Sequence, residues 1–228
     1  MKAFADPKRA VGLQRFFRTG PGEYGEGDKF LGLYVPQVRQ IAAEYKDLSL
    51  PEIEKLLASP WHEARVVALV LLTNGYGRGD AKTKDRIYRF YMRRANRVNN
   101  WDLVDLSAPS IVGAHLLRRS RAPLRKLARS KNLWERRIAI VATQHLIANR
   151  DFDDTLYLAQ LLFSDKHDLI HKAVGWMLRE VGKRDERLLL SFLDEHAGAM
   201  PRTTLRYAIE RLSPARRKRY MALPRSRN

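Results

Sequence analysis

The chain has 228 residues, 45% hydrophobic and 30% charged, with a formal net charge of +18 and a pI near 10.4. That length supports a substantial core, and so large a cationic surplus points to nucleic acid first and an anionic membrane surface second. There is no cysteine, which excludes disulfides, thiolate metal sites and cysteine nucleophiles.

No apolar run reaches the roughly 18 residues needed to span a bilayer. The opening MKAFADPKRAVGLQRFF has no continuous apolar stretch of the kind a secretory signal needs. A cytoplasmic protein, associated with the nucleoid through DNA, is the simplest expectation. No amphipathic anchor helix with an exposed bulky face supports the membrane alternative.

Residues 7–18 read as a first helix, with Asp6 as N-cap and Pro7 in the first turn. The glycine-rich stretch 19–29 reads as a loop, and it lacks the Gly-Lys-Ser/Thr ending of a phosphate loop. Tyr24 in it is a packing residue or faces a ligand. Phe30–Leu33 leads into a helix from about Pro36 to Lys46. Ser49-Leu-Pro-Glu52 opens another with the character of a capping box. Ser59-Pro-Trp-His-Glu-Ala-Arg65 then starts a long, almost wholly apolar helix. Lys82–Arg97 follows as a long basic helix. Later helices are expected at Ser110–Arg119, Pro123–Arg129, from Leu133 on, Asp153–Phe163, from Asp168 on, Arg187–His196 and 201–211. A basic tail, Ala215-Arg-Arg-Lys-Arg-Tyr220, ends in Pro224-Arg-Ser-Arg-Asn228.

No stretch shows strand alternation over a useful length, so the protein is all-α. Arg65, Arg137, Lys172 and Arg206 each lie early in a long helix, at spacings of 72, 35 and 34 residues. Paired helices recurring at about that period predict one domain over 1–228: an α-solenoid, or superhelix, of HEAT-like repeats with a basic concave groove lined by those cations. The chain is expected to act as a monomer.

Two constellations carry the chemistry. Trp101 and Asp105 stand four residues apart, on one face of a helix, with Asp102 beside them and Pro109 ending or restarting the helix. Seven Lys/Arg lie between Lys82 and Arg97, and seven more between Arg118 and Lys131. A carboxylate in such surroundings opposes contact with a polyanion and calls for a reason. One reason is a helix cap by Asn99, Asn100 or Asp102 over a buried Trp101; the other is a reactive site. Lys172, Trp176 and Arg179 form the second constellation, a single helical stripe. The slots equivalent to Trp176 hold Leu69, Val141 and Glu210, so an indole between two cations reads as exposed. Gly175 lets another backbone, or a sugar-phosphate chain, come close. His167 and His171 share a helix face, but the segment lacks a third ligand, and no metal or cofactor is expected.

Across most of its length the sequence resembles the AlkD-type DNA alkylation-repair glycosylases, a HEAT-like repeat family. The resemblance is carried by Trp101–Asp105, Asn132-Leu-Trp-Glu-Arg-Arg-Ile-Ala139, Ile170–Glu180 and the Phe30-Leu-Gly32 motif. It implies excision of cationic N3- and N7-alkylated purines from duplex DNA without a metal. It also implies that Trp101, Trp176, Asp105 and Arg137 are the functional residues, with Lys172 and Arg179 as neighbouring DNA contacts. The alternative is a non-catalytic α-solenoid that binds nucleic acid or protein partners. That alternative explains the charge and the repeats, but not an aspartate set beside exposed tryptophans.

Overall fold

The computed structural model describes residues 1–224. The fold is all-α, made of HEAT-like helical pairs, and no strand occurs among the described residues. The chain forms two compact units, Met1–Ile111 and the residues from Val112 on.

The first unit contains α1 (Pro7–Phe16), α2 (Val35–Glu44), α3 (Leu50–Leu57), α4 (His62–Arg78), α5 (Ala81–Arg93) and α6 (Trp101–Ala108). Asp6 caps α1 by accepting from the Arg9 N–H at 3.0 Å. Ser49 and Glu52 form the expected capping box of α3. A helix apolar on every side has to be enclosed. α4 is such a helix: Val67, Ala68, Leu69, Leu71 and Leu72 are all buried, and α2, α3, α5 and α6 pack around it. The expected helix Lys82–Arg97 ends earlier, at Arg93, and gives way to a 3-10 turn at Ala95–Arg97.

The second unit holds α7 (Ala114–Leu116), α8 (Ala122–Ala128), α9 (Leu133–Ala148), α10 (Asp153–Leu161), α11 (Asp168–Gly182), α12 (Glu186–His196), α13 (Arg202–Ala208) and α14 (Pro214–Ala222). Here α9 packs on α11, and α11 on α13. α8 and α10 cover α9, α10 and α12 cover α11, and α14 meets α13. Helix α9 is again apolar on all sides, with Ile138 to Thr143 fully enclosed. The basic tail from Ala215 to Tyr220 is helical, and Tyr220 is its buried anchor. The last four residues of the Pro224–Asn228 stretch lie outside the described residues.

Over Ser110–Arg119 the chain is helical as far as Leu116, first in π-helical and then in α-helical form. Pro109 has no N–H to give the helical ladder, and Pro109–Gly113 winds as a π-turn before the short α7. Gly113 lies hard against α9: a Cβ there would come within 2.1 Å of the Ala142 carbonyl oxygen.

The repeat shows itself most clearly in the turns that enter α4, α9 and α11. The Trp61, Asn132 and His167 N–H groups donate to Ser59 Oγ, Ser130 Oγ and Asp165 Oδ1, each two residues earlier. Six residues after each of those side chains, a cation or imidazole reaches back to the backbone. Arg65 Nη1 donates to Ser59 O, Arg136 Nη1 to Ser130 O, and His171 Nε2 to Asp165 O. The structural register is therefore Arg65, Arg136 and His171. This corrects the sequence-based alignment of Arg65 with Arg137 and Lys172, which is one residue out.

Candidate functional site

The residues around Trp101 are assembled from four segments of the first unit. Asn100 is the N-cap of α6, its Oδ1 accepting from the Trp101 N–H at 2.8 Å. The eight-residue α6 keeps Trp101 and Asp105 one turn apart, and both are partly exposed. Below the indole lies a cluster of rings. Trp101 stacks on Phe17 with centroids 5.2 Å apart, Phe17 on Phe30 at 5.1 Å, and Phe30 on the His62 imidazole at 4.6 Å. Phe16, 62% exposed, meets Trp101 edge-on at 5.7 Å. One indole face is thus occupied by Phe17.

At the base of this cluster lies a buried polar network that the sequence did not foretell. His62 is 2% exposed. Its Nδ1 donates to Asp28 Oδ2 at 3.2 Å, and its Nε2 to Asp102 Oδ2 at 2.7 Å. Asp28 also pairs with Arg65 Nη2 at 2.6 Å and accepts from the Asn99 and Asn100 amides at 3.4 and 3.5 Å. Burial alone pushes the imidazole down, but the hydrogen bonds to Asp102 and Asp28 outweigh it and hold His62 above its ordinary value. Burial pushes the Asp28 carboxyl up, and His62 and Arg65 together overcome that and hold it below the usual carboxylate range. Asp102 is therefore a partner of His62, and its Oδ1 accepts from the Leu103 N–H.

Two further contacts fix the loop that supplies Asp28 and Phe30. The Glu63 carboxylate, 3% exposed, accepts from the N–H groups of Leu31, Gly32 and Leu33, with Gly32 the nearest at 2.8 Å. Lys29 forms a β-bridge with Trp61. Gly32 has φ +87°, and a Cβ there would meet the Asp6 carbonyl at 2.2 Å, so glycine is required. This is the structural content of the Phe30-Leu-Gly motif. Asp105, one turn on from Trp101 along α6, lies near enough to the buried Tyr91 for its charge to act there. Burial raises that phenol, and the negative charge of Asp105 adds to the effect. Tyr91 shares a 2.9 Å hydrogen bond with Ser107.

In the second unit, α11 carries Lys172, Trp176 and Arg179, all partly exposed, on one stripe. Lys172 Nζ pairs with Asp168 at 2.9 Å, and Arg179 pairs with Glu210, in the turn just after α13. A Cβ on Gly175 would lie 2.5 Å from Thr204 O and 2.5 Å from Tyr207 Cβ. The close neighbour that Gly175 admits is thus the backbone of α13. Arg137 is 5% exposed, and its Nη1 donates to the Leu169 carbonyl at 2.6 Å. It ties α9 to the first turn of α11, a structural task the sequence did not reveal. Arg65 is likewise buried, so neither guanidinium stands open on a surface. His167 caps α11 by accepting from the Leu169 N–H, and His171 donates to Asp165 O.

A family model described as DNA alkylation repair enzyme matches residues 1–212. The chain belongs to that family. A solved structure described as a predicted DNA alkylation repair enzyme from Enterococcus faecalis has the same fold. It is 18% identical, with a TM-score of 0.71, and the match covers 92% of this chain and 97% of that one. The comparison with curated proteins finds no match. Family membership gives the chain a role in repair of alkylated DNA, with DNA as partner. No described helix is long and apolar enough to cross a membrane.

Proposed function

We propose that the protein is a DNA glycosylase that hydrolyses the N-glycosidic bond of cationic N3- and N7-alkylated purines in duplex DNA. The observation that carries this reading is the pairing of a carboxylate, Asp105, with a partly exposed, ring-backed indole, Trp101, one turn apart on α6 in a strongly basic chain.

Alkylation at N3 or N7 leaves the base positively charged and already a good leaving group, so no acid has to protonate it. Cationic character then builds on the deoxyribose as the bond breaks. Asp105 stabilises that charge and orients or deprotonates the attacking water. At about 4 Å and an effective dielectric near 20, one such pair is worth roughly 4 kcal/mol. Felt mainly in the transition state, that is about a thousandfold in rate.

Trp101 offers the cationic base its ring, worth about 0.5–2 kcal/mol depending on desolvation. Because Phe17 stacks on one face and Phe16 meets the ring edge-on, the opposite face is the one offered to the substrate. Trp176, on α11 of the second unit, is the other tryptophan that the family resemblance assigns to the reaction. Lys172 and Arg179 bind phosphate, exchanging their present carboxylate partners for the DNA backbone. Arg137, nearly enclosed, adds to phosphate binding chiefly by holding the α9–α11 junction. The chain acts on DNA as a monomer, with a cytoplasmic, nucleoid-associated location as part of the proposal.

Incubating the protein with duplex DNA carrying N7-methylguanine, without added metal, tests the proposal. Release of free base supports it. Tight binding with no release favours the non-catalytic alternative.

A further inference from the structure

His62 has no role in the chemistry just outlined, yet it is buried with both ring nitrogens engaged. Both ring nitrogens lie within hydrogen-bond distance of carboxylate oxygens, at 3.2 Å to Asp28 and 2.7 Å to Asp102. An ionised carboxylate only accepts, so a ring that satisfies both must donate from both nitrogens. Such a ring is an imidazolium. The charged groups that face it are Asp28 from the loop, Asp102 from α6 and Arg65 from α4 itself. Two carboxylates balance two cations there. Phe30 stacks on the ring and Phe17, tilted, packs beside it, the same Phe17 that stacks under Trp101.

We propose, building on the glycosylase reading, that His62 is a positioning residue: a buried imidazolium that clamps the first turn of α6 and the Phe17–Trp101 stack, and so sets where Trp101 and Asp105 stand. Asp102, the neighbour of Trp101, is the handle by which the clamp acts. When the proton leaves, one of the two hydrogen bonds has no hydrogen and a carboxylate loses its donor. The first turn of α6 then loosens, and excision slows as pH rises through the His62 titration. The imidazole is held above its ordinary value, so the loss falls on the alkaline side.

Two measurements test the clamp. The first is NMR of histidine ring nitrogens in the intact wild-type chain, which does not depend on activity. At about pH 6, below the raised titration, His62 should show protons on both Nδ1 and Nε2. Loss of one at higher pH should coincide with a shift of the Trp101 indole N–H. A His62 ring carrying a single proton at both acidic and neutral pH overturns the clamp.

The second is single-turnover excision by His62→Gln, whose donors sit on a single uncharged amide nitrogen. We expect a fall of about tenfold with DNA affinity unchanged, since only orientation is lost, together with disappearance of the alkaline decline. A wild-type rate and pH profile in that variant overturn the clamp. Should His62→Gln not fold, Asp102→Asn takes its place. It keeps an acceptor for Nε2 but removes one charge, and the alkaline decline should move to lower pH; an unmoved decline contradicts the clamp. If the wild-type chain releases no base at all, the glycosylase reading fails, while the ring-proton measurement still decides on the clamp.

Discussion

His62 and Asp102 are 40 residues apart in sequence and 2.7 Å apart in space, Nε2 to Oδ2. That bond joins the first turn of α4 to the first turn of α6, and it makes the stability of the first unit depend on pH from two sides. His62 has a raised value in the fold. Its contribution is fully present below the ordinary histidine value and is lost as pH rises through the raised one. Asp28 has a lowered value. Its contribution is present above the ordinary carboxylate value and is lost as pH falls through the lowered one. A thermal melting series across pH should therefore decline on both flanks. Asp28→Asn should flatten the acid flank. An unchanged acid flank in that variant means Asp28 does not carry the effect.

The four tryptophans separate by burial. Trp134 is 6% exposed, whereas Trp61, Trp101 and Trp176 are partly exposed. Trp134→Ala should cost about 3–5 kcal/mol in urea unfolding, as a core truncation does. Trp101→Ala and Trp176→Ala should each cost clearly less and lower excision more. Equal stability losses for all three would make the two site tryptophans packing residues.

Gly175→Ala is predicted to destabilise the second unit by about 1–3 kcal/mol, the usual cost of overpacking. The new methyl meets the Thr204 carbonyl and Tyr207 Cβ, and neither can retreat without shifting α13. Calorimetry of the variant checks this. An unchanged melting temperature means the α11–α13 contact is looser than the structure has it.

Arg137 and Lys172 should part company when mutated. Arg137→Ala leaves the Leu169 carbonyl without its donor at a nearly enclosed site and should cost about 1–3 kcal/mol of stability. Lys172→Ala removes a half-exposed pair with Asp168, worth about 0–1 kcal/mol. It should lower DNA affinity for all sequences and reduce the salt slope by about 0.9. Salt titrations with both variants distinguish them. A Lys172→Ala slope equal to wild type removes Lys172 from the DNA contact.

The helices were legible because their apolar residues recur at helical period and their ends carry caps, as Asp6 and Ser49 do. Repetition was legible too, but not its register. Arg65 and Arg137 look alike in sequence because both are cations early in an apolar helix. An arginine with a long apolar stem serves equally as a surface charge or a buried tie, and these two proved to be ties. Spacing of about 35 residues could not tell Arg136 from Arg137; the hydrogen bonds to Ser59 and Ser130 could. Gly175 was rightly marked as a close approach, though sequence could not say that α13 fills it. The network of Asp28, His62 and Asp102 stayed hidden because its members lie 34 and 40 residues apart and each is unremarkable alone. Asp28 ends a glycine loop, His62 starts a helix, and Asp102 passes for a cap. One signal was within reach: Phe30-Leu-Gly32, next to Asp28, already carried family resemblance without an assigned task.

Single-turnover excision of N7-methylguanine by Asp105→Asn tests the proposed chemistry most directly. The change keeps the shape of the side chain and removes its charge. The rate should fall by roughly two to three orders of magnitude, the scale of one partly screened charge pair. DNA affinity should hold or rise slightly, because a negative charge near phosphate has gone. A wild-type rate in this variant would contradict the assignment and leave Asp105 a structural neighbour of Tyr91.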